Sequence, residues 1–123
     1  MSLLRIFKQR TSRQQTGQDG EDDALQYLLR HGLVLLERNF RCKGGEIDLV
    51  MKEHDMLVFV EVRKRAASQF GGAAASITSA KQRRLTIAAQ VYLQRYKMPP
   101  PCRFDVVAID GGELSWLKNA IQG

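Results

Sequence analysis

Gly45-Glu46-Ile47-Asp48-Leu49-Val50-Met51 and, after a short polar turn, Leu57-Val58-Phe59-Val60-Glu61-Val62-Arg63 are two apolar runs of strand length, each interrupted by carboxylates. Such runs, bounded by turn residues, read as strands, and Lys52-Glu53-His54-Asp55 between them makes an antiparallel hairpin. Side chains alternate along a strand, so Glu46, Asp48 and Val50 share one face, and Leu57, Phe59, Glu61 and Arg63 share one face of the next. If the register matches, Asp48 and Glu61 are cross-strand neighbours. Charged groups are rarely buried unless paired or coordinated. Two of them on adjoining strands suggest a site built to hold a cation.

Upstream, residues 33–40 read as a strand and residues 41–45 as a turn, with Gly44-Gly45 free to take positive φ. Residues 20–30 read as a helix stopped at Gly32, with a start as early as Thr16. Ala24, Leu25 and Leu28 form its apolar face. Glu21 precedes them by three, four and seven positions, so a carboxylate lies on the same inward stripe. Downstream, residues 66–77 are Gly/Ala-rich and fit a mobile loop over the site and a plain connection equally well. A helix over 78–96 follows, with Leu85, Ala88, Ala89, Tyr92, Leu93 and Tyr96 as its apolar stripe. Lys81 and Gln82 extend that stripe with polar groups. The helix ends before Pro99-Pro100-Pro101. Residues 103–109 read as a strand, turned at Gly111-Gly112 into a short strand over 113–117. The expectation is an α/β fold of order αβββαββ, a mixed sheet flanked by helices.

At 123 residues one domain is the default, and 44% hydrophobic content suits a folded chain with its own core. Residues 1–15 carry Arg5, Lys8, Arg10 and Arg13 without an apolar segment or a small-residue cleavage pattern. They read as a flexible basic arm preceding a domain over 16–123, not as a secretory signal or anchor. No run approaches the roughly 18 apolar residues of a membrane span. Cys42 and Cys102 are the only cysteines and lie in no zinc-ligand spacing. They read as free thiols in a reducing cytoplasm. His31 suits the negative end of the first helix and His54 a turn, neither with an orienting partner for catalysis.

The net charge is +6, and its distribution matters more than its total. No acid falls between Glu61 and Asp105, whereas Arg63, Lys64, Arg65, Lys81, Arg83, Arg84, Arg95, Lys97 and Arg103 all do. The segment from Asp19 to Glu61 is comparatively acidic. A basic region beside an acidic one suits a polyanion held next to a carboxylate-bound cation.

Glu21, Asp48 and Glu61 converge if the first helix packs beside the hairpin. Two unit charges about 4 Å apart repel by roughly 4 kcal/mol at an effective dielectric near 20, so three carboxylates need compensation. Arg63 supplies one charge, and a divalent ion matches the remaining two. All-oxygen ligation favours Mg²⁺ or Mn²⁺, with Asp48 and Glu61 as ligands. A polar network of Asp48, Glu61 and Arg63 that merely fixes strand register fits the pattern equally well. Glu46 reads as a strand-end carboxylate or an outer ligand, and Asp105 as a partner for backbone or a neighbouring arginine.

Asp48 followed by Glu61-Val62-Arg63 resembles the PD-(D/E)xK nuclease signature. More closely, Gly20-Glu21, Asn39-Phe40-Arg41, Gly45-Glu46-Ile47-Asp48-Leu49, Val58-Phe59-Val60-Glu61-Val62, Lys81-Gln82 and Arg103-Phe104-Asp105-Val106-Val107 resemble the YraN-type bacterial family, over nearly everything from Thr16 to Leu117. That resemblance implies a restriction-endonuclease-like fold akin to archaeal Holliday-junction resolvases. It implies a metal-dependent nuclease acting on DNA phosphodiesters, at branched structures if the likeness to resolvases extends that far. The catalytic positions would be Glu21, Asp48, Glu61 and Arg63, with Asp48 and Glu61 on the metal and the Val62 carbonyl as a further ligand. Lys64, Arg65, Lys81, Gln82 and Arg84 are the candidate nucleic-acid contacts. Junction cutters commonly act as symmetric dimers because the substrate has two strands to cut, which leaves a homodimer open for this chain. Arg63 departs from the pattern's lysine. It stays charged and cannot act as a base, though it can hold a phosphate. Two alternatives therefore stand beside the nuclease: a binding module that does not cut, and a protein-interaction domain with an acidic partner.

Overall fold

The computed structural model describes residues 12–65 and 77–121, with side chains of the first helix described from Gly20 onward. The arm expected over residues 1–15 lies outside them up to residue 11, as does all but Ile77 of the segment expected as a loop or connection. The elements run α1 (Ser12–Arg30), β1 (Val34–Cys42), β2 (Gly45–Glu53), β3 (Met56–Arg65), α2 (Ser79–Leu93), β4 (Cys102–Asp110) and β5 (Glu113–Leu117). This is the α/β order αβββαββ. The five strands form one sheet in sequence order. β3 and β4 are parallel, and every other neighbouring pair is antiparallel. The parallel crossover carries α2 between its two strands, as such a connection requires.

The helices cover opposite faces. On one, Ala24, Leu25 and Leu28 of α1 pack on Leu49, Met51, Val58, Val60, Val107 and Ile109. On the other, Leu85, Ala88, Ala89 and Tyr92 of α2 pack on Val50, Leu57, Phe59, Phe104 and Val106. α1 ends in a Schellman motif. Leu33 N–H donates to Leu28 O at 3.1 Å, Gly32 N–H donates to Leu29 O at 3.1 Å, and Gly32 takes φ +93°. α2 starts at Thr78, whose hydroxyl accepts the Lys81 amide at 3.1 Å.

Several local features differ from the sequence reading. The first helix starts at Ser12, so residues 12–15 of the expected arm are helical, and the second ends at Leu93, short of the expected 96. The turn expected over 41–45 is only Lys43-Gly44, because Arg41, Cys42 and Gly45 continue the β1–β2 ladder. Strict alternation also fails in β2. Ile47 packs in the α2-side core with Val50, although Leu49, two residues on, belongs to the α1 side. The cause lies across the ladder. Asn39, between the pairs Arg38–Leu49 and Phe40–Ile47, takes φ +52°. Asparagine tolerates that left-handed conformation, and it re-aims the strand much as a bulge does. Beyond it Phe40 and Cys42 pack against the α2-side core, and the hairpin tip lies on α2. Gly45 permits the approach, since a Cβ there would sit 2.2 Å from Arg84 O.

Candidate active site

The pairing of β2 with β3 runs from Glu53–Met56 to Leu49–Val60 and ends there, while β3 continues along β4 to Arg65–Asp110. The β1–β2 hairpin thus peels away from β3 at Asp48. Where the ladder stops, the Asp48 side chain takes over: its Oδ2 accepts the Val62 N–H at 2.8 Å. A carboxylate in this gap can be approached from both faces of the sheet.

Asp48 and Glu61 meet in the gap, close enough for the Asp48 charge to bear on Glu61. Glu61 is 1% exposed. Burial and the Asp48 charge push its carboxyl up to about 8. Burial also raises Asp48, against the Val62 amide and the Lys81 charge. Without a cation the pair therefore holds a proton at neutral pH. Glu21, on α1, completes the acidic group from the other face. It is raised chiefly by burial and next by Asp48.

Cations line both faces. Arg63 Nη1 and Lys81 Nζ each lie 3.6 Å from Glu61 Oε2, and Lys81 Nζ also donates to Glu46 Oε2 at 3.4 Å. Arg38 Nη2 lies 3.5 Å from Glu21 and donates to Asp22 at 2.9 Å. Arg38 was not singled out from sequence. Only the β1–β2 register, which sets it beside Leu49 on the α1 face, brings it to Glu21. Glu46, at the strand end, is held by Lys81 together with Arg41 at 4.0 Å and Arg84 at 3.9 Å.

The other candidate contacts are scattered. The Lys64 stem runs against Gly20 of α1, on the face opposite Arg63. Arg65 closes β3 opposite Asp110. Gln82 donates to Ile77 O at 3.4 Å, and Arg84 is half-exposed beside the hairpin tip. Asp105 is fully buried and structural. It accepts from Arg103 Nε at 3.0 Å, Trp116 Nε1 at 2.9 Å and the Asn119 amide at 2.8 Å. His31 bonds Tyr27 O at 2.8 Å at the end of α1, and His54 sits in the β2–β3 turn at φ +55°. Cys42 and Cys102 are unpaired.

Two features of the pocket suit a hard divalent cation. Glu61 Oε2 and Glu21 Oε1 are buried oxygens with no hydrogen-bond partner, which is costly unless something else satisfies them. The donors are all oxygen, the set preferred by Mg²⁺ and Mn²⁺. Among the described residues no three His, Cys, Asp or Glu side chains gather closely enough to enclose an ion by themselves. Mg²⁺ does not require that, because it keeps several waters and takes one or two carboxylates. Asp48 and Glu61 fit that count.

No helix among the described residues is long and apolar enough to cross a membrane. A family model, that of the uncharacterised protein family UPF0102, matches residues 20–109. That span contains every side chain of the pocket. A UPF0102 protein of Herminiimonas arsenicoxydans is 68% identical over 117 residues, covering 95% of this chain and 94% of its own. One from Janthinobacterium sp. (strain Marseille) is 66% identical over 122 residues, covering 99% of each, and one from Cupriavidus pinatubonensis is 58% identical over 119 residues, covering 96% and 92%. This protein belongs to the uncharacterised protein family UPF0102, the family to which the YraN-type motifs point.

Proposed function

We propose that this protein is a divalent-metal-dependent nuclease of the restriction-endonuclease-like type, hydrolysing DNA phosphodiesters in the cytoplasm, with branched DNA as the substrate to test first. The observation that carries the reading is the pocket where β2 and β3 part. The buried carboxylate of Glu61 and the half-buried carboxylate of Asp48 meet there, and Glu61 Oε2 is buried without a hydrogen-bond partner. A cation bound there would stabilise charge on the phosphodiester and supply a more acidic water.

Each protein group then has a role its surroundings allow. Asp48 and Glu61 hold the cation, with Asp48 steadied by the Val62 amide. Glu21, kept in place by Arg38, orients a water. Arg63 remains a cation at any working pH, so it steadies the phosphate electrostatically and moves no proton. Lys81, Gln82 and Arg84 on α2, with Lys64 and Arg65 at the end of β3, contact the DNA backbone and fix position without reading sequence. A homodimer would present two such pockets to two strands, which analytical ultracentrifugation tests.

The assay is cleavage of duplex, single-stranded and four-way-junction DNA with Mg²⁺ or Mn²⁺. Asp48→Ala and Glu61→Ala are each expected to reduce the rate by at least about a hundredfold. Cleavage unchanged in both variants rejects the site. Arg63 favours a second reading, a nucleic-acid-binding module on the same fold with weak catalysis or none. A large gain of cleavage in Arg63→Lys supports a detuned nuclease. DNA binding with no cleavage in either form supports the binding module.

A further inference from the structure

Lys81 stands between carboxylates from two strands, at nearly the same distance from each. With Glu46 Oε2 it forms a hydrogen bond at 3.4 Å. Its approach to Glu61 Oε2, at 3.6 Å, makes no hydrogen bond, and that oxygen has no other hydrogen-bond partner. Neither carboxylate holds the ammonium at close hydrogen-bonding distance. Glu46 meets Arg41 and Arg84 through its other oxygen, Oε1, which leaves Oε2 to Lys81. The Lys81 backbone is fixed, because its amide is bonded by the Thr78 cap. Its side chain is 28% exposed, on a flexible four-carbon stem. The root is anchored while the ammonium is free to swing.

We propose that Lys81 is an exchangeable internal counter-ion, which shares its ammonium between Glu61 and Glu46 in the ion-free protein and withdraws onto Glu46 when a divalent cation takes the Glu61 oxygen. This rests on the metal-dependent reading above. Arg63 and Lys81 both stand 3.6 Å from that oxygen, and a second positive charge that could not move away would oppose the cation further. A lysine with a second carboxylate in reach neutralises the empty pocket and then yields with little reorganisation. Glu46 thereby acts through Lys81, as a positioning residue and not as a ligand.

The test is Mn²⁺ binding to the whole protein without nucleic acid, followed by the electron-paramagnetic-resonance signal of free Mn²⁺. Lys81→Met is expected to tighten binding about tenfold, since one of the two competing charges is gone and only Arg63 remains. Glu46→Gln, which leaves the ammonium on Glu61, is expected to weaken it by about tenfold. In the Lys81→Met background Glu46→Gln is expected to change binding by less than about twofold, because its effect runs through the lysine. Unchanged or weaker binding in Lys81→Met, or an equal effect of Glu46→Gln in both backgrounds, overturns the proposal. If the native protein binds one Mn²⁺ and Glu61→Gln does not, those results reject the counter-ion and leave the metal site standing. Absence of Mn²⁺ binding by the native protein rejects both.

Discussion

Glu61 and Asp105 are both buried carboxylates, and their surroundings make them opposites. Asp105 has a donor for each oxygen from Arg103, Trp116 and Asn119, and Arg103 is tied in turn to Glu53 at 2.8 Å. Asp105→Ala would strand the Arg103 charge and is expected to cost about 3–5 kcal/mol in urea unfolding while leaving Mn²⁺ affinity unchanged. Glu61 lacks such donors, and its carboxyl is pushed from 4.5 to about 8. Between those values the folded protein binds more protons than the unfolded chain. The stability Glu61 contributes is therefore full below about pH 4.5 and is lost as pH rises through about 8. In chelator, the thermal unfolding midpoint is expected to fall across that window, and Glu61→Gln to flatten the slope. Equal slopes in both proteins would reject a proton held at this site. Because a ligating carboxylate must be deprotonated, Mn²⁺ affinity is expected to rise over the same range.

The site exists because one element parts from its neighbour. The β1–β2 hairpin is bent at Asn39 and Asp48 and laid on α2 at Gly45. Gly45→Ala would place a Cβ 2.2 Å from the Arg84 carbonyl, so the tip must lift. The expected loss is about 1–3 kcal/mol of stability together with weaker Mn²⁺ binding as Glu46 and Lys81 separate. Gly32→Ala is the control. It strains a residue at φ +93° but meets nothing within 4 Å, so it should lower stability by roughly 1 kcal/mol and spare the site. The elements themselves were legible in the sequence, because period-2 and 3.6-residue patterns report which face each element buries. Leu57 to Arg63 and Leu85 to Tyr92 obey them throughout. The bend was not legible. Asn39 has nothing in its local sequence to demand a left-handed φ, and Gly44-Gly45 marks a turn without saying that the second glycine extends a strand against a helix. Alternation thus misassigned Ile47, whose burial depends on the tertiary contact with α2.

Across the whole molecule the acids and bases sort into a pocket and a surface. Sequence placed Asp48, Glu61 and Arg63 together because they lie on one hairpin, where spacing alone fixes proximity. Arg38 was missed because it joins Glu21 only through the β1–β2 register and the packing of α1. Sequence leaves Glu46 open between a strand-end carboxylate and an outer ligand, because its partners Lys81 and Arg84 arrive from a helix 35 and 38 residues on. If the protein binds DNA as proposed, phosphate contacts by its basic side chains give that binding a salt-dependent component. If Arg84 touches one phosphate, Arg84→Ala should lower the slope of log affinity against log salt by about 0.9 and weaken all sequences alike. An unchanged slope removes Arg84 from the interface. The central claim, that the gap between β2 and β3 is a cation site, is tested most directly by a crystal soaked in Mn²⁺ and measured for anomalous scattering. A peak bridging the carboxylates of Asp48 and Glu61 is the expected result. Full occupancy elsewhere, or an empty gap at saturating Mn²⁺, would contradict it.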